Sequence, residues 1–101
     1  MDYTSRYENN VLHFELSGQL TFSDNQKFKE IIESLNQVGI RALEMDFSGI
    51  TFIDSAGLGM LLLLRDNCNE RHIPITIISP VGQVQKVFQI SKFDQLFKIV
   101  A

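Results

Sequence analysis

The chain has 101 residues, 45% of them hydrophobic, with a formal net charge of −3. That length and that apolar share predict one compact domain spanning residues 1–101, able to build a core without a disulfide or metal staple. The acidic balance, with no cluster of Lys or Arg, excludes a surface built to neutralise nucleic-acid phosphates.

Leu12, Phe14 and Leu16 alternate with His13, Glu15 and Ser17, a period of two that predicts a strand. Asn9-Asn10 ahead of it reads as the turn of a hairpin whose first arm runs near Tyr3 to Tyr7. Ser23 and Gln26 match a capping box, and Phe28, Ile31, Ile32 and Leu35 follow at helical spacing, so a helix is expected over roughly Asp24 to Gln37, ended by Gly39. Ala42 to Phe47 reads as a strand, Ser48 to Phe52 as its exit loop, and a second helix starts near Ala56 and runs to about Arg71.

Ile73 to Ile78 is rich in β-branched residues and returns as a strand, giving a strand–helix–strand unit with a parallel pair. Ser79-Pro80 reads as a helix start with proline at the first helical position, and Val84, Val87 and Phe88 form the apolar stripe of a third helix. Phe93 to Val100 should hold a short turn or helix and then a last strand. The expected architecture is α/β, a mixed sheet of four or five strands with helices packed on it.

Cys68 is the only cysteine, so no intramolecular disulfide is available, and Met1 to Arg6 lacks the basic start and apolar stretch of a secretory signal. A cytoplasmic location is expected. The longest apolar run, Met60 to Leu64, falls far short of the roughly 20 residues that span a bilayer, so no direct membrane insertion is expected.

Chemistry concentrates in Ile53-Asp54-Ser55-Ala56-Gly57-Leu58-Gly59, which places a serine hydroxyl at a helix N-terminus. Unpaired N–H groups and the helix dipole there tolerate both a hydroxyl and a phosphate on it. The bland alternative is that Ser55 only caps the helix through an N–H at Gly57 or Leu58, a contribution of about 1 kcal/mol. A nucleophile would need a base, and neither His13 nor His72 has a context that assigns it that role. The glycine-x-serine-x-glycine elbow is missing because Ile53 and Gly57 flank Ser55, and Gly57 and Gly59 belong to no phosphate-loop or dinucleotide fingerprint. Within the second helix, Leu58, Leu61 and Leu62 are expected to form one apolar stripe. Met60, Leu63 and Leu64 point largely elsewhere, so either the helix is buried on two sides or single leucines face water, or these residues form a docking surface beside Ser55.

The run Leu43 to Gly59 resembles the signature of STAS domains, specifically bacterial anti-sigma-factor antagonists. Gly18-Gln19-Leu20, Ile75-Thr76-Ile77, Val87-Phe88 and Phe93 to Phe97 extend the resemblance over nearly the whole chain. It implies a non-enzymatic partner-switching regulator without a cofactor, which binds an anti-sigma-type serine protein kinase and lets go when Ser55 is phosphorylated. A serine phosphatase resets it. With that resemblance Asp54, which the sequence alone reads equally as a turn residue, and Gly57 would support the switch loop. Ala56 and Leu58, together with Met60, Leu63 and Leu64 of the surplus apolar face, are the expected partner contacts. A monomer that forms heteromers is expected. Two positions depart from the family pattern: Ala56 stands where serine is common, and Thr21 where many relatives have aspartate. Ser48, Thr51 and Ser79 are weaker acceptor candidates. The alternative within the family is an accessory subunit of a phospholipid-transport ABC ATPase, in which threonine is frequent at the Ser55 position.

Overall fold

The computed structural model describes residues 1–101. A hairpin opens the chain, with strands β1 (Asp2–Glu8) and β2 (Val11–Leu20) antiparallel about Asn9 and Asn10. Both asparagines have positive φ, 53° and 65°, the backbone that a tight two-residue hairpin turn requires. Helix α1 (Asn25–Glu33) is flanked by single 3-10 turns at Phe22–Asp24 and Ser34–Asn36. It is therefore shorter than its apolar spacing predicts.

Next come strand β3 (Ala42–Ile53), helix α2 (Ser55–Glu70), strand β4 (Ile75–Ile78), helix α3 (Gly82–Ile90), a 3-10 turn at Phe93–Gln95 and strand β5 (Lys98–Val100). The five strands lie in chain order, and every pair after the first is parallel.

Register lines up Leu12 with Leu43 and Ile75, and Phe14 with Met45 and Ile77. All six are buried, as are Phe28 and Ile31 of α1, Leu61 and Leu64 of α2, and Val84 and Phe88 of α3, and all join one apolar cluster. The helices thus cover one face of the sheet, and the period-two strands supply its inner layer. Phe47, Phe88, Phe93 and Phe97 continue the core as a chain of rings with centroids 5.3–5.8 Å apart. The other face carries the alternate residues, His13, Glu15, Glu44 and Asp46 among them, and His13 Nδ1 sits 2.8 Å from Glu44 Oε1.

Further differences from the sequence expectation concern β3, the start of α3 and a helix cap. Ser48 to Phe52 is strand rather than loop, because β2 runs on to Leu20 and pairs Gly49, Ile50, Phe52 and Ile53 across two register shifts. A Cβ at Gly49 would stand 2.7 Å from the Leu16 carbonyl oxygen, so glycine permits this close approach. Helix α3 begins at Gly82, not at Pro80, since Ser79 has left-handed backbone at φ 55° and donates its N–H to Val100 at 2.8 Å. The capping interaction near residue 23 is made by a different pair, with Asp24 Oδ2 accepting from the Thr21 N–H at 2.9 Å.

Candidate functional site

The last residue of β3 and the first of α2 are separated only by Asp54. Its extended backbone turns the chain, and its carboxylate caps α2, Oδ1 accepting from the Gly57 N–H at 2.8 Å. Because Asp54 takes that N–H, Ser55 is not the cap. It is the first helical residue, it is exposed, and its hydroxyl is released from the capping role.

Asp54 also faces the 3-10 turn before α1, where the Phe22 N–H lies 3.4 Å from Oδ2. That turn is held from behind by Asp24, a buried carboxylate bound by the Thr21 N–H and by the Met1 ammonium at 2.9 Å. Burial alone would raise the Asp24 pKa, but these donors, together with the Lys27 charge, leave it below the ordinary carboxylate value.

Gly57 is buried where α2 meets the ends of β2 and β3. A Cβ there would stand 2.7 Å from both Ile53 Cγ1 and the Leu20 carbonyl oxygen. Glycine lets the helix start close to the sheet.

The buried stripe of α2 is Gly57, Met60, Leu61, Leu64 and Cys68, the i, i+3, i+4, i+7 and i+11 positions of one face. This corrects the expected partition. Leu64 is 0% exposed and belongs to the core, so it cannot touch a partner, and Met60 is largely covered at 9%. Leu58 packs against the core in part. The apolar side chains left in solvent are Leu62 and Leu63, with Leu63 54% exposed.

Phe22 is 74% exposed, and with Asn25, Ala56, Gly59, Met60 and Leu63 it lines a shallow groove of about 240 Å³ between the turn before α1 and the first two turns of α2. Ser55 is not part of this lining, but it lies four residues before Gly59 on the same helix face and next to Ala56, so it stands one turn before the groove. Phe22 carried no sequence signal beyond being a large aromatic in the polar stretch Thr21 to Asn25, outside any periodic stripe.

The two histidines stand away from the hydroxyl. His13 is paired in register with Glu44, nine residues before Ile53 along β3, a distance of about 30 Å for extended chain. His72 lies beyond the far end of the 16-residue α2, about 24 Å along the axis. No group of three His, Cys, Asp or Glu side chains is placed to hold a metal ion, and no helix is long and apolar enough to cross a membrane. The site offers an exposed serine hydroxyl at a helix N-terminus, a carboxylate cap and a nearby apolar groove.

The family model of the STAS domain matches residues 4–101. The chain belongs to the STAS domain family. A STAS-domain-containing protein of Pseudomonas aeruginosa (strain UCBPP-PA14) is 35% identical over 88 residues, 87% of this chain and 86% of the relative. In fold the chain is similar to the Thermotoga maritima protein TM1081. That match has a TM-score of 0.87 and 20% identity, and covers 98% of this chain and 86% of the other. It is also similar to the Bacillus cell-fate determinant SpoIIAA in its phosphorylated form. Here the TM-score is 0.74 at 18% identity, over 99% of this chain and 92% of the other.

Proposed function

We infer that this protein is a partner-switching regulator of the anti-sigma-factor-antagonist type. Ser55 accepts a phosphoryl group from a serine protein kinase that the unmodified protein binds, and a serine phosphatase removes it. The observation that carries this reading is the division of labour at the start of α2: Asp54 caps the helix, so the exposed Ser55 hydroxyl is free for transfer. Asp54 and Gly57 hold the platform. Ala56, Gly59, Met60 and Leu63, with Phe22 across the groove, offer apolar surface to the partner, and Leu58 and Leu62 flank it.

Phosphorylation brings about −1.5 to −2 charge and three acceptor oxygens to the helix start one turn before that groove. The helix N-terminus accommodates the charge within this protein, whereas a partner fitted to a neutral hydroxyl and an apolar groove would have to desolvate a dianion. Release therefore needs no refolding. The kinase supplies the nucleotide and its metal, and this chain supplies the acceptor.

The test is to purify the protein from its native cells with its bound kinase and add ATP and magnesium. The expected result is phosphate on Ser55 and dissociation of the pair, while Ser55→Ala stays bound and unmodified. Co-purification with a membrane-transport ATPase, stable to nucleotide and indifferent to Ser55→Ala, would establish the accessory-subunit role instead.

A further inference from the structure

Strand β3 outruns its neighbour. Strand β4 pairs only with Leu43 to Asp46, so from Phe47 to Ile53 no strand lies on that side of β3. Ile53 is 2% exposed, and a buried strand end must still satisfy its N–H and C=O. Both go to one side chain. The Ile53 N–H donates to Gln83 Oε1 at 3.0 Å, and Gln83 Nε2 donates to the Ile53 carbonyl at 3.0 Å. The primary amide of a residue in α3 thus stands in for one peptide unit of the missing strand.

A primary amide suits this, because it accepts at oxygen and donates at nitrogen along parallel directions. A carboxylate would accept from the N–H and repel the carbonyl. On the opposite side of the strand the next residue, Asp54, donates its N–H to the Leu20 carbonyl at 3.3 Å. The chain is therefore gripped from both sides immediately before Asp54 turns it into α2 and caps Gly57.

We propose that Gln83 is a positioning residue for Ser55: by closing on both polar groups of Ile53 it fixes the strand end from which the Asp54 cap and the Ser55 hydroxyl are presented. The consequence for phosphoryl transfer rests on the reading of Ser55 as the acceptor. The positioning itself does not, and it is measured without any partner.

The experiment is amide hydrogen exchange by NMR on the full chain, comparing wild type with Gln83→Met and Gln83→Glu. Gln83→Met loses both bonds and should speed exchange at Ile53, and at Gly57 through the loosened cap, by about tenfold. Gln83→Glu keeps the bond from the Ile53 N–H but repels the carbonyl, so there the acceleration of about tenfold should appear at Gly57. Met45 and Phe47 in the middle of β3 should be unchanged in both. The Ser55 Cβ shift should move toward that of a mobile serine while that of Ser91 stays. Acceleration at Ile53 alone, with Gly57 and Ser55 unmoved, would overturn the proposal. So would equal acceleration throughout, or failure of both variants to fold, since either outcome would make Gln83 a general stability residue. Gln83→Glu keeps size and polarity and is the variant to use should Gln83→Met not fold.

Discussion

Gly57 and Gly59 lie two positions apart in α2 and lack side chains for different reasons. Gly57 is required by the fold, since a methyl group would collide with Ile53 and with the Leu20 backbone. Gly57→Ala should lower stability by about 1–3 kcal/mol through overpacking, read as a shifted midpoint in chemical denaturation. Nothing lies within 4 Å of a Cβ at Gly59, so Gly59→Ala should instead raise stability by about 0.5–1 kcal/mol, the usual helix preference for alanine. Gly59 lines the groove next to Ser55, and the same substitution should weaken binding of the proposed kinase partner, which separates the needs of the fold from those of the proposed interface. Asp24 shows its role through pH. Its native pKa is held below the unfolded value of about 3.9, so the stability it contributes is fully present above that value. That contribution is lost as the pH falls through the native pKa, and Asp24→Asn should flatten the acid limb of the stability–pH curve.

At the scale of elements, α2 and β3 carry the argument. The solvent-facing Leu63 and the core Leu64 are adjacent in sequence, and only the 3.6-residue period separates their fates. Leu64→Ala should cost about 2–5 kcal/mol, whereas Leu63→Asp should leave the melting temperature nearly unchanged and weaken partner binding. Removing the cap in Asp54→Ala should cost about 1 kcal/mol, seen as fraying at the start of α2. The hairpin was legible from the Asn9-Asn10 turn and the period-two strand after it, α1 and α3 from their apolar stripes, and α2 as a leucine-rich stretch between two strands. The partition of α2 was not, because six apolar residues crowd Leu58 and Met60 to Leu64, and composition alone cannot say which of them the sheet covers. Nor was the length of β3 legible. Ser48-Gly49 reads locally as a turn, and only the long β2 beside it makes it strand.

The whole molecule is a sheet with one covered face and one polar face. The signature around Ser55 was readable because its residues are contiguous, and the local geometry explains each of them: Asp54 as cap, Gly57 as close contact, Ser55 as the exposed first residue. Phe22 and Gln83 were not readable, because the turn before α1 and helix α3 reach the site only through tertiary folding. With the helix cap already provided by Asp54, charge added at Ser55 should change what the protein binds without altering how it folds. The most direct measurement is the intact and peptide mass of the protein isolated from its native cells, beside a Ser55→Ala strain. The account predicts a single phosphoryl group confined to Ser55 and absent from the variant. An unmodified Ser55 under every growth condition, with binding indifferent to its replacement, would contradict it.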